Sequence, residues 1–419
     1  MLKDFLSRTL FIIGFSVILI ACSESTPVID EIPPLTTELP IQVPPTSEPD
    51  FKFVKSSNER DNISSATLNF IRILIDEIDI PVAQYDVKPI DLIYSTKNPW
   101  TNQNIDASGV LLVPNTDKEV PIISLHHGTI EPGETAPSKQ LLGFNEITVA
   151  IYFASLGFIV SFPDYIGYGE SKQVHHPYEH LNSLGSSSHD MLIAAKEYLE
   201  IKSINHTNEL FLVGYSEGAT SSIGHAKLVQ ENSGFELLGL FVGGGAYDKT
   251  QFFEILSTKD EQIQSIPNYI WALNTINELG KGLKRSWSSY VNPPYDKMLE
   301  NLKEINGLIS KDLVDLNPQN LFNTAFRDGV LEGTDVDFIS VLEENSIQSI
   351  DITVPISFYY VPDDSVTFSD LISKSVYMKQ ISKQTKNRLI ELDAENHFEG
   401  GTVFFFETYH DIKTLLESQ

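Results

Sequence analysis

Residues 209–218 read ELFLVGYSEG, and this stretch restricts the possible fold more than any other in the chain. Its first half is a short apolar run closed by Gly214, and residues Ala219 to Gln230 beyond it are rich in small and helix-compatible types. Such a pattern reads as buried strand, sharp turn, helix start. Gly214 and Gly218 stand two residues either side of Ser216. That spacing matches a Gly-x-Ser-x-Gly elbow, in which the glycines let strand and helix approach closely while a strained serine exposes its hydroxyl above the sheet. Five residues are a weak signal alone, and the strand before and helix after are what strengthen it. A hydroxyl so placed still needs a base and an oxyanion site from the rest of the chain.

Upstream, three strand-like runs lie between Pro89 and His126: IDLIYST, SGVLLVP and VPIISLH. A helical run (Asn145 to Leu156), a strand (Phe158 to Pro163) and a second helix (Ser187 to Leu199) lead into the elbow, and Leu237 to Val242 forms a further buried strand. This alternation predicts an α/β fold: a mostly parallel sheet with helices on both faces, entered through antiparallel strands at one edge. From Asp248 to about Ser346 the alternation stops. Helical runs at Tyr269 to Leu279, Tyr295 to Leu308 and Val336 to Glu344 fill it, with no convincing strand, before the pattern resumes at Val354 to Val361. A helix (Ser369 to Gln380), a strand (Arg388 to Leu392) and an amphipathic helix (Thr402 to Leu416) complete the chain. A helical cap of roughly a hundred residues is therefore expected between two strands of one sheet. No internal repeat is visible, which excludes propellers and solenoids.

The N-terminus reads differently. Lys3 and Arg8 precede a mostly apolar run from Thr9 to Ile20, too short for a good spanning helix, which ends in Leu19-Ile20-Ala21-Cys22. This resembles a bacterial lipoprotein signal, which implies cleavage before Cys22 and lipid attachment to its sulfur, with the alternatives of an ordinary cleaved secretory signal or a tail fragment of an anchor helix. Cys22 is the single cysteine of the chain and has no intramolecular disulfide partner. Residues 22–50 carry prolines at 27, 33, 34, 40, 44, 45 and 49 and read as a stiffened tether. The folded domain is expected over residues 51–419. Acidic residues number 57 against 29 basic, a formal charge of -28, which argues against nucleic acid and anionic lipid headgroups as partners of that surface.

Ligands of such sheets bind at the carboxyl ends of the strands, so partners for Ser216 must follow a strand. Of ten histidines, that filter keeps His126, His127 and His397. His397 lies in a loop between the last strand and the last helix, from which imidazole can reach the elbow, whereas His126 and His127 read as loop-holding residues. Asp363 and Asp364 follow the strand ISFYYVP, and a carboxylate there can accept the imidazole Nδ1 proton. Asp363 is the first choice and Asp364 the alternative. The resulting order serine, aspartate, histidine along the chain is independent support, since it matches one serine-triad fold. Oxyanion donors are expected from the backbone N–H of Glu217 and from that of Gly128 or Thr129. No metal-ligand cluster or cofactor motif is present.

The segments HHGT, SFPDYIGYGES followed by HPY, GYSEG, ENSIQS, DDSV and NHFEGG occur in an order and approximate spacing that resemble the α/β-hydrolase branch of fungal-type secretory lipases and their bacterial relatives. The resemblance covers Asp91 to the C-terminus. It implies a serine ester hydrolase without cofactor, acting on acyl esters or lipids, with a helical lid after the sixth strand of the fold. Tyr360 and Thr367 stand where that branch has Gly and Pro around the acid, which keeps the choice between the aspartates open. Asp164 and Tyr165 match a recurrent pair and imply packing beneath the site. Two rival readings are a serine peptidase of prolyl-oligopeptidase type and a non-catalytic binding lipoprotein on the same scaffold.

Overall fold

Strand β6 (Glu209–Tyr215) shows how the sheet is buried: Leu210 and Leu212 belong to one apolar cluster, Phe211 and Val213 to another. Alternate side chains of a strand point to opposite faces, so both faces of β6 are covered. The computed structural model describes residues 51–74, 81–133, 136–140, 142, 146–232, 234–302, 304–380 and 386–418. The signal-like segment, Cys22 and the Pro-rich tether lie outside the described residues. No described helix is long and apolar enough to cross a membrane.

The sheet comprises β1 (Val54–Glu59), β2 (Val87–Lys97), β3 (Asn104–Pro114), β4 (Ile122–His126), β5 (Ile159–Pro163), β6, β7 (Glu236–Gly243), β8 (Ile356–Tyr360) and β9 (Arg388–Glu391). Among the described residues their order is β1-β2-β3-β5-β4-β6-β7-β8-β9. Pairing is antiparallel from β1 through β3 to β5 and parallel from β5 onward. The sequence pattern points to the sheet from β2 onward but misses β1. Its residues VKSSNE lack apolar alternation because it is an edge strand, exposed after Val54.

Helices α1 (Ser65–Leu74), α2 (Glu146–Ser155), α3 (Leu181–Ile201) and α4 (Glu217–Asn232) precede the cap. Helices α3 and α4 cover one face of the sheet through Met191, Leu192, Ile223 and Ala226. On the other face Ile147 and Ile151 of α2 pack with Phe404 and Ile412 of the last helix. Helix α3 begins six residues before the expected Ser187. Its first turns, with Gly185 and four serines, resemble a loop in composition, yet they press on α4. A Cβ on Gly185 would lie 2.3 Å from the backbone of Gly224, so the small residue permits the approach.

Between β7 and β8 stand α5 (Lys249–Thr258), α6 (Ile266–Leu279), α7 (Tyr295–Glu300), α8 (Pro318–Leu321), α9 (Thr324–Leu331) and α10 (Val336–Glu344). They share an aromatic core in which Phe253 meets Phe338 at 5.3 Å and Phe338 meets Phe326 at 5.2 Å between ring centroids. Helix α7 stops at Glu300 instead of running on to Leu308, with Gly307 in the left-handed region at φ 117. The two ends of the insert are stitched together where Lys249 N–H donates to Ser346 Oγ at 2.8 Å. Helices α11 (Ser369–Gln380) and α12 (His397–Glu417) close the chain.

Candidate active site

The elbow forms as its spacing requires. Ser216 follows β6 at φ 56 and its N–H donates to Gly243 O at 2.8 Å. Non-glycine residues rarely hold this left-handed conformation, and its cost of about 1–3 kcal/mol is carried by the surrounding structure. A Cβ on Gly214 would come within 2.1 Å of Gly218 O, and one on Gly218 within 2.1 Å of His126 O. Both glycines are therefore demanded by contact between strand, turn and α4.

His397 reaches Ser216 from a helix terminus. It opens α12, after Asn396, whose side chain accepts the N–H groups of Phe398 and Glu399, both at 3.1 Å. This Asn cap starts the helix five residues before the expected Thr402, and places His397 on a rigid element. Tyr215 Oη donates to His397 O at 2.7 Å, tying that terminus to the elbow strand. His397 Nε2 lies 3.0 Å from Ser216 Oγ, and its Nδ1 lies 2.9 Å from Asp364 Oδ2.

The choice of Asp363 is corrected by this geometry. Asp363 is exposed and sits in the left-handed region at φ 55, and the carboxylate beside the imidazole is that of its neighbour. Asp364, buried, accepts from Val366 N–H at 2.8 Å, Thr367 Oγ1 at 2.8 Å and Ser369 Oγ at 2.7 Å as well as from His397. Burial alone raises its pKa, but the hydrogen bonds and charge of His397 and the bonds from Ser369 and Val366 outweigh it and hold the carboxyl at about 2.

Gly128, Thr129 and Glu217 converge around Ser216. Gly128 N–H is already taken, donating to both oxygens of Glu146 at 3.1 and 3.0 Å. No hydrogen bond occupies the N–H of Thr129 or of Glu217 among the described residues, so these two are free to receive a developing oxyanion. Burial pushes Glu146 up to about 7, with Gly128 N–H opposing and the charge of Glu217 adding to the rise. The Glu217 carboxylate is buried and lies 2.5 Å from His176 Nε2, while His176 Nδ1 donates to Ile166 O at 2.7 Å. Since a carbonyl only accepts, Nδ1 carries a hydrogen, and one further proton is shared between His176 and Glu217.

Sequence reasoning passes over Glu146, His176, Lys249 and Glu179, all gathered here by the fold. One signal was available: an acidic residue directly after the elbow serine enters a buried helix start and needs a partner. His126 is buried on Ser222 Oγ at 2.7 Å and His225 Nδ1 at 3.1 Å, and His127 Nδ1 donates to Gly128 O at 2.7 Å. Asp164 accepts from Ser138 N–H at 2.7 Å and Ser108 Oγ at 2.6 Å, and Tyr165 Oη donates to His127 O at 3.1 Å. These residues hold the loop after β4. Among the described residues no group of three potential metal ligands is assembled.

Ser216 and His397 open onto a cavity of about 440 Å³. Val149 and Tyr152 of α2 with Phe405 and Phe406 of α12 line one side, and Phe252, Phe253, Ala272 and Ile276 of the insert line the other. This volume and apolar lining suit a small organic ligand.

A mixed sheet of this order, with a strained serine at a strand-to-helix elbow and a histidine after the last strand, defines an α/β-hydrolase. The secretory lipase family model matches residues 140–391, and the chain belongs to that family. It is an ester-hydrolysing serine hydrolase, and membership of a secretory family marks it as an exported protein. No curated protein sequence matches it. Among solved structures, a protein of Legionella pneumophila described as a hydrolase is 22% identical, with TM-score 0.74 over 87% of this chain and 98% of that one. The rice cell wall degrading esterase LipA from Xanthomonas oryzae is 19% identical, with TM-score 0.68 over 87% and 97%. Candida antarctica lipase A is 14% identical, with TM-score 0.57 over 82% and 77%. At these identities the likeness is one of fold.

Proposed function

We propose that the protein is a carboxylic-ester hydrolase working through an acyl-enzyme, with Ser216 as nucleophile, His397 as general base and acid, and Asp364 as the acid of the triad. The observation that carries this reading is the continuous relay of 3.0 and 2.9 Å from Ser216 through His397 to Asp364 at the wall of an apolar cavity. Asp364 fixes the tautomer with hydrogen on Nδ1, leaving Nε2 to accept the Ser216 proton as Oγ attacks the ester carbonyl. The carbonyl oxygen becomes an oxyanion held by the N–H groups of Thr129 and Glu217. His397 returns the proton to the leaving alcohol, the C–O bond breaks, and the acyl group stays on Ser216. Water then attacks, giving its proton to His397, and the carboxylic acid departs as Ser216 is reprotonated.

Insert residues Phe252, Phe253, Ala272 and Ile276 act as a pocket wall that selects the acyl group. Cys22 serves as a lipid attachment point, and residues 22–50 hold the hydrolase at a bacterial membrane surface. Ser216→Ala is expected to abolish hydrolysis of p-nitrophenyl esters while thermal unfolding stays within a few degrees, because a hydroxyl facing the cavity contributes chemistry and little packing. Residual activity within about tenfold of the parent refutes the nucleophile assignment. Attachment at Cys22 is checked by mass spectrometry of the mature protein and by its membrane fraction after Cys22→Ser.

A further inference from the structure

Lys249 is a buried ammonium in the wall of a mostly apolar cavity. It opens α5, its side chain is only 4% exposed, and it pairs with Glu179, which stands before α3 and is held at φ 59. Thr220 of α4 completes the group: its Oγ1 donates to Glu179 Oε2 at 2.6 Å and accepts from Lys249 Nζ at 3.3 Å. Lys249 and Glu179 both line the cavity that holds Ser216.

The donor count does not close. An ammonium has three hydrogens, of which Glu179 and Thr220 take two, and both contacts to Glu179 fall on Oε2. Among the described residues nothing pairs with the third Lys249 hydrogen or with Glu179 Oε1. One donor and one acceptor are thus left side by side against the cavity, and a hydroxyl, which both donates and accepts, satisfies the two together. A carboxylate is a poor match, since the charge of Lys249 is already balanced by Glu179 and Oε1 would repel it. A plain alkyl chain leaves both groups desolvated without partners, which is costly in a low-dielectric site.

We propose that Lys249, Glu179 and Thr220 form a polar subsite that receives a neutral hydroxyl group of the ester substrate. The proposal rests on the ester-hydrolase reading above and adds the substrate class. Thr220 lies four residues beyond Ser216, in the first turn of α4. Substrates that carry a hydroxyl at the end of a short alkyl chain on either side of the scissile carbonyl probe this placement. The hydroxyl belongs either to the acyl chain or to the alcohol, and two substrate pairs separate these sources.

Purified full-length enzyme is assayed on p-nitrophenyl 6-hydroxyhexanoate against p-nitrophenyl hexanoate, and on 4-hydroxybutyl hexanoate against butyl hexanoate by titration of released acid. The parent is expected to favour the hydroxylated member of one pair by about fivefold or more in kcat/KM, the worth of one net hydrogen bond. In Lys249→Met that ratio is expected to fall to about one, through loss of the donor. Lys249→Met strands a buried carboxylate, so Lys249→Met/Glu179→Gln is measured beside it, with thermal unfolding identifying the folded variant. A parent that cleaves both members of each pair equally well overturns the subsite alone, as does a folded variant that keeps the preference. A parent that cleaves none of the four esters overturns the hydrolase reading and the subsite with it.

Discussion

At the scale of single residues the two neighbouring aspartates make opposite predictions. Asp364→Asn leaves an amide facing His397 Nδ1, favours the wrong imidazole tautomer, and is expected to lower kcat by about three to four orders of magnitude. Asp363→Asn, at an exposed position, is expected to leave kcat within about twofold. Steady-state kinetics on one ester decides both, and equal losses would remove Asp364 from the triad. Glu146 carries a pH prediction. It ionises as pH rises through about 7 and accepts the Gly128 N–H at 3.0 Å, one residue from the proposed oxyanion donor Thr129. A carboxylate there opposes the negative charge developing on the substrate by roughly 1 kcal/mol or more, since a buried site screens less than water. The parent kcat/KM should therefore fall about fivefold above pH 7 as Glu146 ionises. Glu146→Gln keeps an acceptor for Gly128 and has no charge to gain, so its profile should stay flat over that range. A descending limb that survives in Glu146→Gln assigns it to another group.

At the scale of elements the elbow is the most constrained piece of the chain. Gly218→Ala would drive a Cβ to 2.1 Å from His126 O and 2.9 Å from His127 O, both backbone atoms, so the turn or the loop after β4 must move. The expected result is a loss of about 3 kcal/mol in urea unfolding together with loss of activity, because the same shift displaces Thr129 and Glu217. A variant with parental stability would mean that the elbow tolerates a wider turn. That the elbow was legible in five residues follows from the same contacts, which leave glycine no substitute at either flank. The Asn396 cap was legible in principle too, yet His397 read as a loop residue because the two glycines at 400 and 401 disguise a helical first turn. Gly400 is there for closeness, since a Cβ would lie 2.6 Å from Tyr215 Oη. Strand β1 and the first turns of α3 were hidden for a different reason: polar edges and small-residue helix contacts leave no apolar period. The choice between Asp363 and Asp364 turned on one residue in the left-handed region, which local sequence does not encode. The pairs His176–Glu217 and Lys249–Glu179 join residues 41 and 70 positions apart, so only the folded sheet brings them together.

At the scale of the whole molecule, the proposed function gives the insert between β7 and β8 the choice of substrate. Ile270, Trp271, Leu273, Ile276 and Leu279 of α6 recur at helical spacing as one apolar set, but the structure divides them. Leu273 and Trp271 are fully buried within the core shared by insert and sheet, whereas Ala272 and Ile276 line the cavity with Ser216. Enlarging these neighbours should have separate consequences. Leu273→Trp forces extra volume into a packed interior and is expected to cost about 1–3 kcal/mol of stability, whatever the substrate. Ala272→Trp fills part of a cavity of about 440 Å³ from its wall. The ratio of kcat/KM for p-nitrophenyl decanoate to that for p-nitrophenyl acetate should then drop by about tenfold or more, since each methylene denied its pocket forfeits about 0.8 kcal/mol. Thermal unfolding of the two variants and a chain-length series on each provide the comparison. If Ala272→Trp lowers all chain lengths in equal proportion, the insert braces the fold without shaping the acyl site. If Leu273→Trp alters chain-length preference at parental stability, the pocket extends deeper into the insert than its present walls.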